Sequence, residues 1–242
     1  MLLVDVGNSR IKWVICENGR FTRRGALFHR ERDQETLAEC LWGDLQRPSR
    51  VLIANVAGAR MAAALSEWIE RTWALSAQFV ATEAANHGVR NAYPNPGQMG
   101  VDRWVAMIGA RALTKRACCV VDCGTAITID ALATDGRHLG GVIFPGAQLM
   151  REALYRDTRQ IPASAGEVVL FGSSTQDCVW GGAVHAVAAA IDGITLRMET
   201  AANEPFCRLL TGGGAEAVLS LLHNDYRLEP DLLFQGLMTI TG

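Results

Sequence analysis

The sequence predicts an α/β protein built by duplication, two halves that are each a β-meander followed by α/β units and that face an interlobe cleft. Three observations predict it. An apolar strand running into Asp-x-Gly and a small polar residue occurs twice, as Leu2-Leu3-Val4-Asp5-Val6-Gly7-Asn8-Ser9 and as Cys119-Val120-Val121-Asp122-Cys123-Gly124-Thr125-Ala126. Each copy continues into a second apolar or alternating run, 11–16 or 127–132. At the same offset from its aspartate each then reaches a hairpin dipeptide, Asn18-Gly19 or Asp135-Gly136. After each hairpin, helical and strand periodicities alternate. One Asp-x-Gly is common by chance, whereas the whole pattern at matched offsets implies equivalent halves.

In chain order, residues 50–56 and 77–81 read as strands, with a helix at 61–71 between them. A longer helix is predicted over 101–116, where Val101, Trp104, Val105, Ile108 and Ala112 form one apolar stripe. Residues 205–210 read as a strand, and 215–222 as a short helix after it. No Pro- or Ser-rich linker interrupts the chain, so the repeat itself sets the boundary, giving an N-terminal half 1–115 and a C-terminal half 116–242.

Composition narrows the function. A chain of 242 residues, 49% apolar, can bury a sizeable core, and 23 Lys and Arg against 25 Asp and Glu leave no basic or acidic footprint for nucleic acid or an anionic membrane. Small partners are expected. The N-terminus lacks the features of a secretory signal, and no apolar run is expected to approach the roughly 20 residues that span a bilayer, so the expected location is the cytosol. Seven cysteines without a Cys-x-x-Cys pair or matching His spacing argue for reduced thiols rather than disulfides or zinc.

Neither Gly-x-x-x-x-Gly-Lys-Ser/Thr nor Gly-x-Gly-x-x-Gly after a first strand is present. Phosphates must be held differently. An Asp-x-Gly hairpin can hold them: its glycine lets the backbone approach, backbone N–H groups and Asn8, Ser9 or Thr125 donate to phosphate oxygens, and the carboxylate positions a cation. A single such hairpin is more simply an ordinary Asx-type turn; the matched pair favours a triphosphate bracketed by both. Lys12 reads equally as a phosphate contact or a solvated strand residue.

A second signal is Tyr93-Pro94-Asn95-Pro96-Gly97-Gln98-Met99-Gly100-Val101-Asp102-Arg103, a rigid loop that delivers Asp102 and Arg103 onto the first turn of the 101–116 helix. Arg103 can grip a carboxylate in a bidentate fork and Asp102 can accept a proton from a hydroxyl. Alone, Asp102 would read as a stabiliser of the helix N-terminus worth about 0.3–1 kcal/mol. Thr211-Gly212-Gly213-Gly214-Ala215 offers glycines against which a nucleoside can lie, or a plain strand-to-helix turn. Gly140-Gly141-Val142-Ile143-Phe144-Pro145-Gly146 marks a strand entering a tight loop.

Together, and with Gly172 to Thr175, these segments resemble the type III pantothenate kinases, members of the actin, hexokinase and Hsp70 ATPase superfamily with its actin-like (ribonuclease H-like) fold. Six motifs occur in the family's order along nearly the whole chain. The resemblance implies Mg-ATP bound along Asp5, Val6, Gly7, Asn8, Ser9, Arg10, Ile11 and Lys12 and at Thr125. It implies a monovalent cation, K⁺ or NH₄⁺, at Asp122 and pantothenate held by Tyr93, Gly100, Val101, Asp102, Arg103 and Thr175, with Asp102 as proton acceptor. It also implies a homodimer whose two subunits shape the pantothenate site. Ser9 stands where the family usually has Thr, which keeps the hydroxyl and should matter little, whereas Gly214 stands where Asp usually follows Thr-Gly-Gly, which predicts relaxed nucleotide preference or weak ATP binding. The implied activity is phosphorylation of pantothenate to 4′-phosphopantothenate, the first step of coenzyme A biosynthesis. A kinase of another small metabolite, a nucleotide-binding regulatory accessory protein and an actin-like assembly protein are the competing readings.

Overall fold

Strand β1 (Leu2–Val6) is apolar at every position but Asp5, as suits a strand with neighbours on both sides. The computed structural model describes residues 1–29, 34–158, 161 and 166–242. It divides into two compact units, Met1–Leu113 with Asp231–Gly242, and Thr114–Pro230.

In the first unit β1 pairs antiparallel with β2 (Arg10–Glu17), which pairs with β3 (Arg20–Phe28), while on its other side β1 runs parallel to β4 (Val51–Asn55) and β4 to β5 (Gln78–Phe79). The β2–β3 turn has Asn18 at φ 50° and Gly19 at φ 74°, the left-handed pair that an Asn-Gly hairpin requires. Helices α1 (Gln34–Trp42) and α2 (Ala59–Trp73) cover the face carrying Leu2, Val4, Val6, Ile11, Val51 and Ile53. There Trp42, Trp68 and Trp73 stack with centroids 4.9 to 6.1 Å apart, and Trp68 Nε1 donates to Glu39 at 2.9 Å. The opposite face, with Leu3, Asp5 and Leu52, meets α3 (Val101–Leu113) and α7 (Leu232–Thr241). Short β6 (Ala85–Asn86) and β7 (Val89–Arg90) form a separate hairpin.

The second unit repeats the topology. Its strands are β8 (Cys118–Cys123), β9 (Ala126–Leu132), β10 (His138–Pro145), β11 (Cys207–Thr211) and β12 (Arg227–Leu228). The sheet orders are β3-β2-β1-β4-β5 and β10-β9-β8-β11-β12, with the same sense of pairing at every position. Helices α4 (Ala147–Asp157), α5 (Thr175–Ala202) and α6 (Ala215–Leu219) complete the unit, and Val184, Val187 and Ile191 of α5 pack onto Cys119, Val121, Ile127 and Ile129. Inside it His138 Nε2 and Asp130 Oδ1 lie at hydrogen-bond distance, 2.9 Å apart, with both side chains at most 2% exposed.

Some expectations change. The helix begun at 101 ends at Leu113 because the Thr114 hydroxyl captures the Arg116 N–H at 3.1 Å, a local bond that competes with the helical one. At Asp135-Gly136 only Gly136 is left-handed, φ 81°, and its N–H closes the turn on the Ala133 carbonyl. A half running 116–242 differs from the observed division at its end, where α7 packs on α3. Any side chain at Gly236 would collide with the Val105 carbonyl at 2.0 Å, and one at Gly109 with that of Leu232 at 2.3 Å, so these glycines let the helices touch backbone to backbone. By length and average composition one helix among the described residues, α5 with its 28 residues, could cross a membrane, although Asp177 and Asp192 interrupt its apolar run.

Candidate active site

Both Asp-x-Gly turns sit at the carboxyl ends of paired parallel strands, where open α/β sheets place their ligands. In the first unit Asp5 lies opposite Lys12 across the hairpin, and the Gly7 N–H donates to the Arg10 carbonyl at 3.1 Å, closing the turn around exposed Asn8 and half-buried Ser9. Val6 and Ile11 are buried and anchor the two strands. Arg10 lies over the exposed ring of Phe28 at 5.1 Å.

The loop before α3 is built on side-chain caps. Asn91 Oδ1 accepts from the Tyr93 N–H at 2.9 Å, and Asn95 Oδ1 accepts from the Gly97 N–H at 3.2 Å, which starts the short 3₁₀ turn at Pro96–Gln98. Its end is tied down where Thr82 donates to the Met99 carbonyl at 3.1 Å. Asp102 Oδ1 then accepts the Arg103 N–H at 2.8 Å, which orients the carboxylate at the helix start. A Cβ on Gly100 would sit 2.5 Å from that oxygen, so a side chain there would push the Asp102 carboxylate from this position. Arg103 is buried, its guanidinium 5.7 Å from the centre of the Tyr93 ring and donating to the Tyr93 hydroxyl at 3.0 Å.

Val56 brings the two signals together. Its N–H donates to the Val6 carbonyl at 2.9 Å and its side chain lies 3.9 Å from where a Gly100 Cβ would be. Thus the Gly7 turn and the Gly100–Arg103 turn, far apart in sequence, share one end of one sheet. Nothing in the periodicity singled out Val56, because its role is backbone pairing beside β4.

In the second unit Asp122 lies between Thr128 of β9 and Thr211 of β11, in register with both. The Gly212 loop wraps it: Gly212 has φ 94°, and a Cβ there would meet Asp122 Oδ1 at 2.2 Å. The Gly214 N–H donates to the Cys123 carbonyl at 2.8 Å, and a side chain at 214 would crowd that carbonyl at 3.1 Å. Gly146, first a mark of loop shape only, donates to the Thr125 carbonyl at 3.0 Å and caps α4. Burial first, then the Asp122 charge, push the Cys123 thiol up to about 12, so it stays protonated beside the turn. Thr175 is the exposed first residue of α5, whose cap is Ser174 accepting from the Asp177 N–H at 3.1 Å.

Around Asp122, one carboxylate with threonines in register on either side, the available donors are hard oxygens. Among the described residues no three His, Cys, Asp or Glu side chains gather to hold a metal of another kind.

Two five-stranded sheets of one topology, each carrying an Asp-x-Gly turn at its carboxyl end, define a duplicated actin-like fold. The comparisons agree. Residues 1–197 match the family model for type III pantothenate kinase. A type III pantothenate kinase from Aromatoleum aromaticum is 40% identical over 245 residues, covering 99% of this chain and 97% of its own. Among solved structures, a protein from Campylobacter jejuni described as a Baf family transcriptional activator superposes with a TM-score of 0.60 at 20% identity, covering 99% of this chain and 96% of that one. The activator of the 2-hydroxyisocaproyl-CoA dehydratase from Clostridium difficile, with bound ADPNP, gives 0.56 at 13% identity over 98% and 91%. The chain belongs to the type III pantothenate kinases and is a phosphotransferase.

Proposed function

We propose that this chain transfers the γ-phosphoryl group of ATP to the primary hydroxyl of pantothenate, opening coenzyme A biosynthesis, in the cytoplasm. One observation carries the residue assignment: the Asp5–Lys12 turn and the Asp102–Arg103 turn stand at the same end of one sheet, linked through Val56. ATP binds along Asp5, Val6, Gly7, Asn8, Ser9, Arg10, Ile11 and Lys12 and at Thr125, with backbone N–H groups and small side chains donating to phosphate oxygens. A divalent ion accompanies the triphosphate, and Asp122 holds potassium or ammonium.

Tyr93, Gly100, Val101, Arg103 and Thr175 contact pantothenate. Arg103, held by the Tyr93 ring and hydroxyl, presents its fork to the substrate carboxylate. Asp102, oriented through Oδ1 by the Arg103 N–H, accepts the hydroxyl proton as that oxygen attacks phosphorus in line. Because such transition states are loose, positioning and charge neutralisation supply more of the rate than the base does.

The working enzyme is a homodimer. Supporting this, Leu170 and Phe171 are 69% and 90% exposed, and they border an open groove of about 360 Å³ against Cys178, Gly181, Gly182 and His185 of α5. Only 39% of the most apolar stretch of α5 is buried within the chain.

The test is ADP release by the purified protein with Mg-ATP and pantothenate, with potassium, ammonium or sodium as the only monovalent cation. Pantothenate-dependent release, stimulated by potassium or ammonium and cut at least roughly tenfold in Asp102→Asn, is expected. Release with a sugar but not pantothenate would move the assignment to another metabolite, and none with any substrate would point to a regulatory protein.

A further inference from the structure

His29 follows β3, and no motif drew attention to it. It is buried, 8% exposed, and reaches the Gly7–Ser9 turn from two directions. Its backbone N–H donates to the Ser9 carbonyl at 3.1 Å, and its ring Nε2 lies 2.8 Å from the Gly7 carbonyl. A carbonyl oxygen can only accept, so Nε2 carries the proton. The turn is therefore clasped at both ends by one residue: the carbonyl before Asn8 and the carbonyl after it both accept from His29.

The consequence lies in the peptide plane. The Gly7–Asn8 peptide bond is trans, so the N–H of Asn8 points opposite to the Gly7 carbonyl in the same rigid unit. Holding the carbonyl toward the buried imidazole aims the Asn8 N–H away from it, to the open side of the turn. Glycine at 7 brings flexibility that would otherwise let this plane rotate. We infer that His29 is a positioning residue for ATP, its Nε2–H fixing the Gly7–Asn8 peptide so that the Asn8 N–H faces the bound phosphates. The inference rests on the reading that this turn holds ATP.

Three variants and one measurement on the native enzyme test it. His29→Phe keeps the bulk and removes the donor, whereas His29→Gln keeps an amide N–H near the place of Nε2. Losing one hydrogen bond of this kind is expected to lower kcat/KM for ATP roughly five- to tenfold in His29→Phe. KM for pantothenate should stay within about twofold, and His29→Gln should recover most of the loss. If the two variants behave alike, whether both impaired or both normal, the donor is not what matters and the inference falls.

Ser9→Ala separates the two levels. If it leaves KM for ATP untouched, the ATP reading of the turn fails and the inference with it. If it raises KM for ATP while His29→Phe does not, only the role of His29 fails. Should the substituted proteins not fold, nitrogen NMR of the native protein still decides: the His29 ring must carry a proton on Nε2, and a neutral ring protonated only on Nδ1 would overturn the proposal.

Discussion

Gly212 shows how one missing methyl group sets a carboxylate. At φ 94° with Asp122 Oδ1 2.2 Å from the position of a Cβ, an alanine both strains the backbone and displaces the Asp122 side chain. Gly212→Ala is expected to lose most of the stimulation by potassium or ammonium, with activity down about tenfold or more, because the new Cβ pushes the Asp122 carboxylate aside, while the left-handed φ costs the fold about 1–3 kcal/mol besides. Cation titrations of initial rate check this, and an unchanged titration would mean that Asp122 is not fixed by this loop. At this scale the sequence was only partly legible. Asp5, Asp122, Asp102 and Arg103 stand in patterns that announce themselves, since their residue types are needed at those spacings. Val56 and His29 do not, because one acts through a backbone N–H and the other through a carbonyl twenty-two residues away.

Among the elements, α5 depends most visibly on its start. Ser174 Oγ donates to Asp177 Oδ2 at 2.6 Å, and Asp177 Oδ1 accepts the Glu167 N–H at 2.9 Å. The Ser174 bond first, then that of Glu167, hold the Asp177 carboxyl below the ordinary carboxylate range. A depressed folded-state value means that the stabilisation is fully present above the unfolded value of about 3.9 and is lost as pH falls through the lower folded one. Thermal unfolding of wild type and Asp177→Asn should therefore differ by a constant amount above about pH 5 and converge below about pH 4. A gap that persists at acid pH would show that the carboxylate charge is not what holds this end. Elements were easier to read than residues where their period was clear: β1, β2, β8 and β9 follow the apolar runs closely. β5 shrank to Gln78–Phe79 and α3 stopped at Leu113, because strand length at a sheet edge and the Thr114 bond are decided by neighbours rather than by hydropathy.

For the molecule as a whole, duplication was legible because offsets between Asp-x-Gly and the following turn survive when most side chains differ. The return of α7 to the first unit was not, since backbone contact through Gly109 and Gly236 leaves little trace in hydropathy. The same limit applies to what covers α5. Leu170 and Phe171, large and exposed, border the groove against the first turns of α5, and a second copy of the chain would cover them as part of an interface, for which a standard size is roughly 1,200–2,000 Å² in total. Light scattering coupled to size exclusion should give twice the chain mass, and Phe171→Glu, which places a charge in the middle of that surface, should shift the protein to the monomer. With both subunits shaping the pantothenate site, as the resemblance implies, the monomer is expected to lose pantothenate-dependent ADP release while still binding ATP. A wild-type monomer with full activity would end the dimer reading, and retention of the wild type, but not of Phe171→Glu, on phosphatidylcholine vesicles would assign this surface to a membrane instead.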